Sequence, residues 1–314
     1  MSRERACLPG EENSPVPGKL SVKPPKFAYA RPAAVEEALV LLAEHGEEAK
    51  VLAGGQSLLP LLNFRLLQPS VLLDINRLTG LQYLQETTSG GLRIGALTRH
   101  FAVETSPLVR RLFPIVTAAV AKIGHLAIRN RGTVGGSLSH ADPAAEWPLL
   151  ALLLDASLKL RSSQGERSVP ASAFIAGALC TTLAPAELVT EVELPAPRQG
   201  TGWGFEEFSR RSGGFAIAAA GILMRASMGR AEDVRIVVLG GADGPQRVGV
   251  AEDALCGRAC DAAALDDAVH AMCKSVEANV DLQASAELRR RLMGTMLRRA
   301  AAAAWRRANE RVAA

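Results

Sequence analysis

Aromatic residues make up only 4% of this 314-residue chain, and no stripe of Lys and Arg is interleaved with them. A basic face studded with stacking rings is the usual footprint of a nucleic-acid binder, so that class is excluded. The net charge of +4 is mild, and the basic residues are dispersed except near the C-terminus. No apolar stretch approaches the roughly 20 uncharged residues of a membrane span, and the opening MSRERACLPGEENSPVPGK lacks the apolar core of a secretory leader. The expectation is a cytoplasmic protein with no membrane span.

Cysteine is also scarce. Cys7, Cys180, Cys256, Cys260 and Cys273 are too few and too scattered for a disulfide framework. Cys256 and Cys260 share i, i+4 spacing, but no second pair completes a metal or iron–sulfur site, so no metal ligand is assigned. Two nucleotide signatures are missing as well. The stretch GGQSLL has no Walker lysine, and no G-x-G-x-x-G follows a strand.

What is present is an ordered α/β pattern after a tail. Residues 1–22 are rich in Pro, Glu, Ser and Gly and read as a mobile tail. Val35, Ala38, Leu39 and Leu42 recur at helical spacing between Pro32 and Gly46, predicting an amphipathic helix over 34–45. A strand Lys50–Leu52, a glycine bend, a helix whose first turn holds Pro60 and a buried strand Val71–Ile75 complete one unit. A second unit runs from a strand Gly91–Ala96 through a helix Leu108–Ile123 to the polar bend IRNRGTVGGSLSHADPAAEW. Asp142 is placed there as the N-cap of a helix over 144–155, ahead of a strand Ser157–Leu160. The segment LPAPRQGTGWG, residues 194–204, concentrates Pro and Gly and marks the expected domain boundary. Beyond it GFEEFSRR, FAIAAAGILMRA and VRIVVLGGA read as antiparallel strands, followed by two or three helices. The last of these, rich in Ala and Arg, reads most simply as a solvated helix. The domains are thus 23–199, with subdomains of about 23–80 and 81–199, and 200–314.

Two glycine loops each precede a helix. Glycine admits φ > 0 and lets backbone amides close on an anion, so Gly54-Gly55-Gln56-Ser57 and Thr133-Val134-Gly135-Gly136-Ser137 could both cradle a diphosphate. A tight turn is the plainer reading of either loop alone. His100, His125 and His140 lie near the loops and read as neutral hydrogen-bonding residues rather than acids or bases, so no catalytic residue is assigned.

The strings VLAGGQSLLPLLNFRLLQPSVLLDINRL and IGHLAIRNRGTVGGSLSHADPAAEWP, with RRSGGFAIAAAG, VRIVVLGGA and DLQASAELRRRL, closely resemble the FAD-binding (medium) subunit of molybdenum hydroxylases, over residues 25–295. That family includes the medium subunit of carbon monoxide dehydrogenase and the flavin domain of xanthine dehydrogenase. The resemblance implies an α+β chain: a two-subdomain FAD-binding fold of the vanillyl-alcohol-oxidase/xanthine-dehydrogenase flavin type, then an α+β domain with antiparallel sheet and helices.

It further implies noncovalent FAD. Val51, Leu52, Ala53, Gly54, Gly55, Gln56, Ser57 and Leu58 would line its diphosphate, and Thr133, Val134, Gly135, Gly136 and Ser137 would complete the cradle. Asp142 or Glu146 would meet ribose or ribityl hydroxyls, since a carboxylate accepts from a diol; a first-turn acid complementing a helix dipole is the alternative for each. Ile123 would lie beside adenine, Leu188 and Thr98 near the flavin region, and Phe215 over the flavin ring unless it is a core phenylalanine. Two departures from the family pattern stand out: Glu206-Glu207 replaces a lysine, and Gly214 replaces an aspartate. Molybdenum cofactor and 2Fe–2S clusters would reside on a large and a small partner subunit, in a dimer of heterotrimers. The implied role is the electron-transfer flavin component of a heterotrimeric oxidoreductase. A self-sufficient FAD-dependent oxidoreductase and a flavin-free nucleotide-binding or scaffold protein remain the alternatives.

Overall fold

The computed structural model describes residues 23–312; the expected tail over 1–22, with Cys7, lies outside them. The first unit is a three-stranded parallel sheet in the order β1-β3-β2, made of β1 (Ala28–Ala30), β2 (Ala49–Leu52) and β3 (Val71–Asp74). Its central strand, VLLD, is buried throughout, as the middle of a parallel sheet must be. The helix α1 (Val35–His45) packs Ala38, Leu39 and Leu42 against it. The helix α2 (Leu58–Asn63) leaves the glycine bend with Pro60 in its first turn, where the missing N–H costs nothing.

The second unit is a five-stranded antiparallel sheet. Its strands are β4 (Leu84–Glu86), β5 (Leu92–Gly95), β6 (Ser157–Ser162), β7 (Gly165–Pro170) and, after a hairpin of β8 (Ile175–Gly177) and β9 (Cys180–Thr181), β10 (Leu188–Leu194), in the order β4-β5-β10-β6-β7. The long connection from β5 to β6 carries α3 (His100–Thr105), α4 (Pro107–Leu112), α5 (Pro114–Val120), α6 (Leu126–Arg131), α7 (Val134–His140) and α8 (Glu146–Leu153); α9 (Ala171–Phe174) follows β7. The expected single helix over 108–123 is thus two helices. Pro114 lacks the N–H that would continue the first, and Phe113 before it sits at φ −133°, ψ 67°.

The helix expected over 144–155 also starts later, at Glu146. Asp142 is not its N-cap: its Oδ1 accepts from the Ala144 N–H at 2.8 Å in a turn before the helix, a local bond that competes with capping.

The C-terminal unit is a four-stranded antiparallel sheet, β11 (Gly202–Ser209), β12 (Ala216–Ser227), β13 (Arg230–Gly241) and β14 (Gly244–Arg247). One face of its two central strands packs through Ala219, Val237 and Leu239 into the core that holds α8 and the five-stranded sheet. The other face, with Ala218, Ala220, Ile222 and Met224, packs against α10 (Gly249–Leu255), α11 (Ala262–Ser275) and α12 (Ala286–Val312).

The Ala/Arg-rich helix is not simply solvated. Ala300, Ala301, Ala304 and Ala308 of α12 are fully buried, and a side chain at Gly204 or Gly202 would strike the carbonyls of Ala300 and Ala304. Small residues on both partners let helix and strand backbones approach. At the edge of this seam Arg307 lies 3.6 Å over the Trp203 ring and donates to the Trp203 carbonyl at 2.6 Å.

Candidate functional site

A cleft of about 840 Å³ runs between the three units, lined by residues from Leu42 in α1 to Phe215 at the start of β12. At one end lies the bend 53–57. Gly55 has φ +74°, a conformation that costs an ordinary residue roughly 1 kcal/mol or more. Gly54 answers to packing instead: a Cβ there would lie 2.5 Å from the Arg131 carbonyl. The Gln56 side chain donates to the Gly54 carbonyl at 2.9 Å and closes the bend. Asn76 donates to the Ala53 carbonyl at 2.7 Å and accepts from Arg99 at 2.7 Å, while Arg99 also donates to the Arg131 carbonyl. One guanidinium and one amide thereby fix the first loop against the segment entering the second. Among the described residues, the N–H groups of Gly54, Gly55, Gln56 and Ser57 have no protein acceptor, and all four residues line the cleft. Backbone donors held in place without a partner are what an anion requires.

The second loop differs. The Val134 N–H donates to the Thr98 carbonyl at 3.1 Å, the Gly135 N–H to the Ala96 carbonyl at 2.8 Å, and the Ser137 N–H to the Thr133 carbonyl at 3.0 Å. Thr133 caps α7 by accepting from the Gly136 N–H. Gly135 is small because a Cβ there would lie 2.6 Å from that of Ala96. The expectation of a second set of amide donors is corrected, since these amides are consumed by the strap after β5 and by Thr133 at the helix start. Thr133, Gly135, Gly136 and Ser137 still line the cleft, whereas Val134 is buried away from it.

The remaining expected residues divide similarly. Val51, Ala53, Leu58, Ile123, Asp142, Glu146 and Leu188 line the cleft; Leu52 and Thr98 do not. The Thr98 hydroxyl donates to the Tyr83 carbonyl and accepts from the Tyr83 N–H, clamping β5 to the strap before β4. Phe215 is 73% exposed at the cleft mouth, which overturns the core alternative for it.

His100 is the neutral histidine that the loops call for. Burial, with Arg99 and Arg129 nearby, holds its pKa down at about 4. Its Nδ1 accepts from Trp147 Nε1 at 3.1 Å, and the two rings stack. Glu146, at 7% exposure, lies near a second acid, Glu207 of β11. Burial pushes both carboxyls above the ordinary range.

Sequence reasoning did not single out the closure between domains. Gly213 takes φ +69°, and a Cβ there would lie 2.7 Å from His125 Nδ1 and 2.8 Å from the Gly124 carbonyl. His125, Gly213 and Arg211 all line the cleft. The glycine pair in RSGG was the available signal.

Comparison with known proteins matches this arrangement along nearly the whole described chain. The family described as "FAD binding domain in molybdopterin dehydrogenase" matches residues 25–197, and "CO dehydrogenase flavoprotein C-terminal domain" matches residues 203–304. The chain is 42% identical over 288 residues to the 6-hydroxypseudooxynicotine dehydrogenase complex subunit alpha of Paenarthrobacter nicotinovorans, covering 91% of this chain and 97% of that one. It is 37% identical to the carbon monoxide dehydrogenase medium chain of Hydrogenophaga pseudoflava, covering 90% and 99%.

Among solved structures, that organism's carbon monoxide dehydrogenase superposes with a TM-score of 0.87 at 38% identity, covering 90% of this chain and 99% of that chain. Quinoline 2-oxidoreductase from Pseudomonas putida 86 also gives 0.87, at 36% identity and 91% and 99% coverage. With its unpartnered amide bend, three-sided cleft and these matches over both domains, the chain belongs to the FAD-binding subunits of the molybdenum hydroxylase family, a family of oxidoreductase components.

Proposed function

We propose that this chain is the electron-transfer subunit of a heterotrimeric molybdenum hydroxylase, holding FAD noncovalently in the cleft. It would take electrons from 2Fe–2S centres on a small subunit and pass them to an external acceptor. The observation that carries this reading is the set of unpartnered amides at Gly54–Ser57, at one end of a cleft that reaches Phe215. FAD supplies the redox chemistry when bound. The chain binds and orients it: the amides hold the diphosphate, Asp142 offers a carboxylate to its hydroxyls, and Ile123 and Leu188 supply apolar walls. Phe215 covers the mouth at the flavin end. The large subunit would carry the molybdenum cofactor and the substrate site, within a dimer of heterotrimers. Among the described residues no group of His, Cys, Asp or Glu could hold a metal ion, and no helix is long and apolar enough to cross a membrane.

The test is purification from the source cell under conditions that keep partners attached, followed by a visible spectrum and a metal count. Flavin, iron and molybdenum in a three-chain complex are expected. Flavin on a single chain that turns over a substrate unaided would overturn the division of labour and favour a self-sufficient flavoprotein.

A further inference from the structure

The bend at 53–57 is held from behind by side chains that do not line the cleft. Asp74, the last residue of β3, is buried. Its Oδ1 accepts from the Asn76 backbone N–H at 2.9 Å and from Asn76 Nδ2 at 2.6 Å. Its Oδ2 accepts from the Tyr29 hydroxyl of β1 at 2.5 Å, with Arg31 Nε at 3.8 Å. Burial opposes the charge, but the bonds from Tyr29 and Asn76 outweigh it and hold the carboxyl below its ordinary range. An ionised carboxylate only accepts, so the Asn76 amide turns its nitrogen towards Asp74 and, with its other hydrogen, towards the Ala53 carbonyl at 2.7 Å. Asn76 Oδ1 is left to accept from the Arg99 guanidinium at 2.7 Å. Reversing the amide would set its oxygen against two acceptors and its nitrogen against a donor.

One peptide plane depends on that orientation. The Ala53–Gly54 peptide is trans, so its C=O and N–H point in opposite directions. Asn76 draws the Ala53 carbonyl to its own side, and this turns the Gly54 N–H the other way, where it has no protein acceptor. Gly54 has no side chain to resist a flip of the plane. Its smallness is imposed by the Arg131 carbonyl, 2.5 Å from where a Cβ would lie. That carbonyl is a rival acceptor beside the bend, and Arg99 occupies it with a second N–H of the guanidinium that holds Asn76.

We propose that Asn76, oriented by Asp74, is a positioning residue that sets the polarity of the Ala53–Gly54 peptide, so that the bend presents a donor and not a carbonyl to the diphosphate. This rests on the FAD reading above. Asn76 makes no bond to the cofactor itself. With the plane flipped, the Ala53 carbonyl would bring partial negative charge to the phosphate oxygens and one of the four amide donors would be lost. The three side chains behind the bend thus divide the work: Asp74 fixes the amide, the amide fixes the plane, and Arg99 keeps the rival acceptor engaged.

The experiment compares the full-length wild type with Asn76→Ala and the isosteric Asn76→Asp. Each is titrated with FAD, then studied at FAD saturation by phosphorus NMR, which reads the diphosphate, and by visible absorption, which reads the flavin ring. Asn76→Ala is expected to weaken FAD binding by roughly tenfold, the order of one charge-assisted hydrogen bond. It should move the phosphorus resonances and leave the visible spectrum as in the wild type. In Asn76→Asp the introduced carboxylate repels the Ala53 carbonyl and Asp74, so binding is weaker still at neutral pH. Relative to the wild type it recovers as the solution is acidified, because the protonated carboxyl can donate to Ala53. Wild-type affinity with unchanged phosphorus resonances in folded Asn76→Ala would overturn this inference alone. So would phosphorus and visible signals that move together with no acid recovery in Asn76→Asp, the mark of a general loosening. If Asn76→Ala does not fold, Asn76→Asp decides: a loss that acid does not relieve sinks the proposal. A wild-type chain that binds no FAD would overturn the FAD reading and this inference with it.

Discussion

The two glycine loops look alike in sequence and do different work. Gly54–Ser57 leaves four amides unpartnered on the cleft, while the amides of Val134, Gly135, Gly136 and Ser137 are bound to Thr98, Ala96 and Thr133. On the function proposed above, the first loop would be the receptor and the second a scaffold that braces it. A glycine pair therefore says that backbone comes close to something, and only the hydrogen-bond accounting says whether that something is a ligand or the protein itself.

The sharpest way to break this contrast is to substitute each loop and read flavin and fold separately. Gly55→Val forces a β-branched residue to φ +74° and should weaken flavin retention by roughly a hundredfold, the order expected when charge-assisted bonds from two amides are lost. Equilibrium dialysis checks it, and normal FAD occupancy in a folded variant would sink the diphosphate assignment. Gly135→Val should act on the fold first. Its Cβ meets Ala96 at 2.6 Å, and we expect a loss of about 2–3 kcal/mol of stability in denaturant titrations of the flavin-free chain.

The scaffold loop also rests on His100, since a Cβ at Gly132 would lie 2.6 Å from the His100 ring. With a folded pKa of about 4 against an ordinary 6.5, the folded state binds fewer protons than the unfolded one between those values. The stabilising contribution is complete above pH 6.5 and is lost as pH falls towards 4, by up to about 3 kcal/mol. Stability measured across that window should fall less steeply in His100→Gln.

Smaller effects follow. Thr133→Val removes the α7 cap and should cost about 1 kcal/mol in thermal or denaturant unfolding. Phe215→Ala, at a residue 73% exposed, should change stability by no more than about 0.5 kcal/mol. The same variant should shift the flavin's potential or its reactivity with oxygen; an unchanged flavin would remove Phe215 from the site.

Much of the architecture was legible because its signals are local. The apolar positions of α1, the buried run of β3 and the three long C-terminal strands are written in periodicities of 3.6 and 2. The first loop was legible because its neighbours in sequence are also its neighbours in the cleft. What escaped was of two kinds: local chemistry that apolar spacing overlooks, and partners distant in sequence. Phe113 and Pro114 break a helix that apolar spacing alone continues. The Asp142 carboxylate prefers Ala144 to a cap. Thr98 turns to Tyr83, and the alanines of α12 are buried because Gly202 and Gly204, about a hundred residues earlier, make room for them.

The cleft draws its walls from Leu42 through Phe215, and this makes the cofactor a structural ligand as well as a redox one. A ligand long enough to run from the bend at 53–57 to Phe215 contacts all three units at once and has no comparable site on the unfolded chain. By mass action it adds about 4 kcal/mol of stability at a free concentration a thousand times its dissociation constant. The contact of Gly213 with His125 and Gly124 then acts as a latch that saturation holds shut. A cell short of flavin would hold a less stable population of this chain, more open to proteolysis and with its domain junction unbraced, before any electron is transferred.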